Sequence, residues 1–252
     1  MISLVVPCYN EEGNVENFIA SVREELQGLD YEVIFINDGT RDHTREKLDE
    51  IVAHSKDAVT AIHFSRNFGK EAGIYAGLQH ATGEYTVIID ADLQQPVQVA
   101  REMVEFLEDH EDYDGVAAYQ DTRKESKLMI WFKKRFYHLM NRLCDVELQE
   151  NASAFRCMRR NMVDAILELS EYHRFSKGIF AWVGYKVYFR PYEVQERQAG
   201  TSSWGFWKLM KYAIEGMVSF STKPLRIAVG LGLTTSGMAL LYMIVVIVQK
   251  LA

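Results

Sequence analysis

Cysteine is scarce and scattered. The 252 residues hold three, Cys8, Cys144 and Cys157, too widely spaced for a disulfide framework or a metal knuckle. A reducing cytosol is their simplest setting. Net positive charge is missing too: the formal net charge is -7, which argues against general nucleic-acid binding. No G-x-G-x-x-G follows the first apolar run and no G-x-x-x-x-G-K-[ST] occurs, so the phosphate-cradling glycines of dinucleotide and P-loop folds are absent. The seven histidines show no H-E-x-x-H spacing, and no Ser-His-Asp or Cys-His constellation stands out. His173, in "EYHRFSKG", reads as structural. There is no internal repeat and no low-complexity linker. The opening "MISLVVPCYNEE" has no basic lead and only a short apolar run, and reads as a first strand rather than a signal peptide.

What is present is apolar and alternating. Hydrophobic residues make up 48% of the chain, enough for one sizeable core plus a small extension. The short β-rich runs "SLVVP", "EVIFIND", "VTAIHFS", "YTVIIDAD" and "DGVAAY" are separated by amphipathic segments such as Val15 to Leu26 and Glu46 to Val52. Strand–helix alternation predicts an α/β fold with a largely parallel sheet covered by helices. Ligands of such sheets bind beyond the C-terminal strand ends. Four of those ends are polar here: "PCYNEE", "NDGTRD", "SRNFGK" and "DADLQQ".

Ile227 to Val248 carries no charge over 22 residues. A helix of that length spans a hydrocarbon core of roughly 30 Å. Lys208, Lys211, Lys223 and Arg226 precede it, so the bulk of the chain is expected on the cytoplasmic side. The span stands almost at the end, as in a tail anchor or a chain cut short. Two further stretches have helical apolar stripes. One is basic, over 127–143, with Met129, Phe132, Phe136 and Met140 beside Lys133, Lys134 and Arg135; the other follows Trp204. Each alone reads as an ordinary core-facing helix, but the nearby span points to the membrane interface.

Asp90 and Asp92 end an apolar run, and in an extended chain alternate residues project to one side. Both then reach one hard cation, Mg²⁺ or Mn²⁺, with Gln94 adding a carbonyl oxygen. On its own, Asp-x-Asp serves a turn equally well. Asp38 reads either as a turn or helix cap or as a partner for a base or ribose. Arg66 and Lys70 either solvate a turn or neutralise a diphosphate.

Taken together, "VVPCYNEE", "NDGTRDHT", "SRNFGKEAGIYAGLQHATGE", "DADLQQP", "HRFSKGIFAWVG", "RQAGTSSW" and "SFSTKPLR" resemble the family 2 glycosyltransferases that load sugars onto polyprenyl phosphates. The resemblance implies a GT-A fold over 1–203, a juxtamembrane segment over 204–226 and a transmembrane helix over 227–249, with further spans and a homo-oligomer, a tetramer in some members. It implies a UDP-sugar donor cradled by Pro7, Tyr9, Glu11 and Asp38, with Arg66 and Lys70 on its diphosphate. Asp90, Asp92 and Gln94 are implied to hold the divalent cation. Arg123, Arg156, Arg174, Arg197 and Ser202 are implied to face phosphates, Arg123 with a catalytic part. Many relatives carry an acid directly before Phe-Arg, where this chain has Ala154 before Phe155 and Arg156. Either this branch differs, or the enzyme is disabled there.

The implied reaction is one displacement at the anomeric carbon. A hexose or N-acetylhexosamine passes with inversion from the UDP-sugar to an undecaprenyl-type phosphate at the cell membrane. Two other classes share features: a processive polysaccharide synthase, although its Gln-x-x-Arg-Trp motif is absent, and a non-catalytic scaffold that binds nucleotide sugars.

Overall fold

The computed structural model describes residues 1–120, 135, 152–171, 174–193, 195 and 219–251. Elements follow in the order β1 (Ile2–Cys8), α1 (Val15–Glu25), β2 (Tyr31–Asn37), α2 (Thr44–His54), β3 (Ala58–His63), α3 (Lys70–His80), β4 (Tyr85–Ile88), α4 (Val97–Asp109), β5 (Gly115–Gln120), β6 (Ala152–Arg159), α5 (Arg160–Glu168), α6 (Ser176–Trp182), β7 (Val187–Tyr192) and α7 (Lys223–Leu251). The basic stretch over 127–143 lies outside the described residues apart from Arg135, which is helical and exposed; the stripe from Trp204 to Val218 lies outside them entirely.

One seven-stranded sheet orders the strands β3-β2-β1-β4-β6-β5-β7. The first four are mutually parallel, as the alternation predicts. β6 then enters antiparallel to both β4 and β5, and β5 and β7 pair in parallel. The central strands read as unbroken apolar runs because both faces are covered. Leu4, Val6, Val33, Phe35 and Val87 face α1 and α4, where Phe18 meets Phe35 edge-on at 5.9 Å. Val5, Ile34, Ile36 and Ile88 face α3, α5 and α6.

Pro7 sits inside β1 without breaking it. In a parallel strand, successive residues address opposite neighbours. Val5 O accepts from Ile89 N–H on the β4 side, and Cys8 O accepts from Asp38 N–H on the β2 side. Pro7 therefore turns its missing donor toward β4, whose pairing ended at Val5–Ile88.

α7 runs for 29 residues. Its apolar part, Leu225–Leu251, has a mean hydropathy of 2.1 and none of it is buried. Twenty-seven residues span about 40 Å, enough to cross a bilayer with some tilt. Thr234 and Thr235 donate to the carbonyls of Gly230 and Leu231 within the helix, which satisfies these two hydroxyls internally. The helix starts at Lys223, four residues before the uncharged run, because the polar turn at Thr222–Lys223 already has helical bonding: Arg226 N–H donates to Thr222 O.

α3 lies unusually close to the sheet. A Cβ at Gly77 would stand 2.3 Å from Val5 Cγ1 and 2.8 Å from Ile36 Cδ1, both fully buried. Helix propensity alone favours Ala over Gly by about 1 kcal/mol, and overpacking costs about 1–3 kcal/mol. The clash wins: Gly77→Ala should lower stability by about 1–2 kcal/mol, read by thermal unfolding in detergent micelles.

Candidate functional site

The C-terminal ends of β1, β2 and β4 and the N-terminal end of β6 meet on one rim. The loops there are stitched to each other. Asn10, held at φ 56°, accepts through Oδ1 from the Thr40 hydroxyl and the Arg41 N–H. Glu11 N–H donates to Thr44 Oγ1 at 2.8 Å, and Glu11 Oε2 accepts from Asn14. Asp42 accepts from the Thr40 and Thr44 hydroxyls and from the N–H groups of Thr44 and Glu12. Tyr9 is half-buried directly after β1, and Pro7 lies 3.5 Å from where a Gly73 Cβ would stand.

Asp38 follows β2 and is buried. Its two carboxylate oxygens accept from the N–H groups of Phe68 at 2.6 Å and Gly69 at 2.9 Å. Burial pushes the carboxyl up, against those amides and the Arg66 charge, which pull it down. Asp38 therefore shapes the loop before α3, thirty residues on, rather than a turn or helix cap within its own motif. Gly39 makes room for that loop: with φ at 61°, its Cβ would stand 2.2 Å from the Arg66 carbonyl carbon. The Arg66 guanidinium lies 4.1 Å over the Phe68 ring.

The acidic loop is a turn rather than a strand continuation. β4 ends at Ile88, and Leu93 adopts φ 59°. Asp90 and Asp92 thus do not follow strand alternation. Asp90 Oδ1 pairs with the Lys70 ammonium at the first turn of α3. Asp90 Oδ2 accepts from Gln95 Nε2 at 3.0 Å, and Asp90 N–H donates back to Gln95 Oε1 at 2.9 Å. Burial lowers the Lys70 pKa, but Asp90, Asp92 and Glu71 outweigh it and the net shift is upward, so the amine stays charged. Asp92 is only 6% exposed and accepts from Gln94 N–H at 3.2 Å. Gln94 O accepts from Gln195 N–H, which brings the chain beyond β7 across this loop. Gln95, not Gln94, is the amide that holds Asp90; the two neighbours are indistinguishable in sequence until the turn sets their directions.

β6 brings up the other side. It pairs with β4 through Ile88–Arg156, which is the last pair of that ladder, and Ala154 lies two residues before Arg156 on the same strand. Ala154 is half-buried, and Arg156 is buried two residues along on the same strand face. The Arg156 guanidinium lies 3.5 Å over the ring of Phe180 in α6. Glu71, next to Lys70, accepts from the N–H and hydroxyl of Ser176 at the start of α6. Glu71 and Ser176 both lie in stretches that carry the resemblance, but nothing in those stretches singles them out as partners. Arg174 stays on the helical side: it donates to Leu169 O and Ile166 O at the C-terminal end of α5 and stacks 4.3 Å over Tyr75. Arg123, Arg197 and Ser202 lie outside the described residues.

Burial pushes the Cys8 and Cys157 thiols up, so neither is a ready nucleophile. Among the described residues no group of three or more His, Cys, Asp or Glu side chains is placed to hold a metal. Two carboxylates do suit a Mg²⁺ or Mn²⁺ whose other ligands are phosphate oxygens and water. The donor chemistry of Asp90 and Asp92 fits such an ion, provided that it shares Asp90 with Lys70.

Asp42 ties pH to the integrity of the rim. Burial pushes its carboxyl up, but the hydrogen bonds from Thr40, Thr44 and Glu12 outweigh that and hold it below the ordinary value. A depressed folded pKa stabilises the fold above the unfolded value and stops doing so as pH falls through the folded one. Asp42→Ala should therefore cost roughly 1–3 kcal/mol at pH 7 and progressively less in acid, measured as melting temperature against pH.

Residues 3–167 match the family described as Glycosyl transferase family 2. Over 243 residues the chain is 40% identical to a prophage bactoprenol glucosyl transferase homolog of Escherichia coli K12, covering 96% of this chain and 79% of that protein. The bactoprenol glucosyl transferase of Shigella phage SfX is likewise 40% identical over 243 residues, with 96% and 79% covered. Among solved structures, the mannosyltransferase PcManGT of Pyrobaculum calidifontis, in complex with GDP-Man and Mn²⁺, superposes with a TM-score of 0.61 at 18% identity, over 85% of this chain and 62% of that one. Glucosyl-3-phosphoglycerate synthase of Mycobacterium tuberculosis, in complex with Mn²⁺, UDP-glucose and phosphoglyceric acid, superposes with a TM-score of 0.55 at 18% identity, over 85% and 76%. The mixed sheet with its flanking helices is thus the GT-A arrangement. By the span of that family match and by these relatives, the chain belongs to glycosyl transferase family 2.

Proposed function

We propose that the chain transfers a hexose or N-acetylhexosamine from a UDP-sugar to a polyprenyl phosphate, with inversion, at the cytoplasmic face of the membrane that α7 enters. The observation that carries this reading is the Lys70–Asp90–Gln95 clamp with Asp92 beside it, set across from β6, in a chain 40% identical to bactoprenol glucosyl transferases. The cations that precede the span, Lys223 and Arg226, support the cytoplasmic orientation. The homo-oligomer, a tetramer in some relatives, is part of the same reading.

The rim suits a leaving diphosphate. Pro7, Tyr9, Glu11 and Asp38 border the nucleoside side, and Arg66 and Lys70 the diphosphate side. Asp90 and Asp92 would hold Mg²⁺ or Mn²⁺, which supplies charge neutralisation to the leaving group. Lys70 adds a fixed cation beside the same carboxylate, oriented by its ion pair before substrate arrives. Arg156 presents a second buried cation near the strand end, suited to the acceptor phosphate. Arg123, Arg174, Arg197 and Ser202 belong to the acceptor side in this reading; of these, Arg174 reaches it only by leaving the α5 carbonyls.

The acceptor needs little base catalysis. A phosphate monoester has a second pKa of about 6 and is largely ionised at neutral pH. An alanine before Phe155 is therefore compatible with chemistry, and an acid there would chiefly orient the acceptor against Arg156. In membranes given radiolabelled UDP-sugar and polyprenyl phosphate, label should enter the extracted lipid; label in polymer would point to a synthase instead. Asp92→Asn should cut that transfer by about 100-fold or more. Ala154→Asp should raise it, and unchanged transfer would remove the idea that the enzyme is disabled at this position.

A further inference from the structure

α6 touches three separate parts of the molecule. Its first residue, Ser176, gives its N–H and hydroxyl to Glu71, the neighbour of Lys70. Its middle receives the ring of Phe220: a Cβ at Gly178 would stand 2.4 Å from Phe220 Cε2, so only glycine admits that ring. Phe175 and Trp182 flank the same ring at 6.2 and 6.3 Å. Its last turn carries Phe180, on which the buried Arg156 guanidinium rests. Phe220 stands three residues before α7 begins, so whatever seats α7 in a membrane also seats α6. Trp182, 57% exposed beside Phe220, places an amphipathic ring at the same level.

We propose that α6 is a positioning element for the acceptor half of the site, tied to the membrane anchor by Phe220 and to the donor half by the Ser176–Glu71 bond. This rests on the reading of a lipid-phosphate acceptor. The Arg156 guanidinium has two supports: Nη2 donates to Ser153 O on its own strand, and its plane leans on Phe180, which moves with α6. A headgroup held at the membrane surface and a cation held by the same helix then keep a constant separation. Lys70 and Glu71, adjacent on α3, face the two halves: one grips Asp90, the other α6.

The test uses the full chain in detergent micelles, with the affinities for UDP and for a short-chain polyprenyl phosphate measured separately from sugar transfer. Phe220→Ala and Ser176→Ala should each weaken lipid-phosphate binding by about tenfold and raise the acceptor KM to match, with UDP affinity within about twofold. Phe220→Tyr, which keeps the ring, should restore acceptor binding. Equal losses for both ligands, or no loss for either, would overturn the proposal. If the unaltered chain binds no polyprenyl phosphate, this proposal and the functional reading fall together. If it binds the lipid but transfers no sugar, only the functional reading falls, and the variants' binding still decides the role of α6.

Discussion

A lysine at the first turn of a helix faces the positive end of the helix dipole, an unfavourable place for a cation by about 0.3–1 kcal/mol. Lys70 is held there by Asp90, and Asp90 is held in turn by both ends of the Gln95 amide. With about a third of each charged side chain exposed, the ion pair contributes little to net stability. Its value is in placement: it fixes the acidic loop against α3, and α3 against the rim. The loop before α3 is positioned from the other side by Asp38, whose carboxylate accepts from two backbone amides. Loss of the Lys70–Asp90 contact would uncouple the two loops, each then held only by its own Asp38 or Gln95 bonds.

The rest of the fold makes that contact possible. Both faces of the parallel half-sheet are buried, so the strands cannot slip without exposing apolar rows. Their C-terminal ends are therefore held level, and the polar loops meet side by side. Close approach at Gly77 seats α3 on β1, and open space at Gly39 admits the loop that carries Arg66. The antiparallel entry of β6 brings its N-terminal end beside the C-terminal end of β4, with Arg156 opposite Ile88.

Much of this was legible in the residues. The first four strands stood out because strands buried on both faces read as continuous apolar runs, and the helices between them kept their amphipathic period. β6 did not stand out: "ASAFRCMR" mixes two arginines and a cysteine into its run, although both faces pack core, Phe155 and Cys157 on one side and Met158, with Arg156 against Phe180, on the other. Arg174, implied to face a phosphate by its place in a motif, here caps helix carbonyls, a contact that no local pattern signals.

By itself the sequence determined the strand–helix alternation, an apolar span of transmembrane length and the clustering of acids and cations at strand ends. These follow from local composition and period, which act over a few residues. Only the tertiary structure decided that Gln95 rather than Gln94 grips Asp90, that Asp38 accepts from backbone amides thirty residues on, and that β6 enters antiparallel beside β4. Those outcomes depend on a left-handed residue at Leu93 and on a strand register set some sixty residues away. Turn direction and register are settled by packing of the whole sheet, so no short stretch of chain encodes them alone.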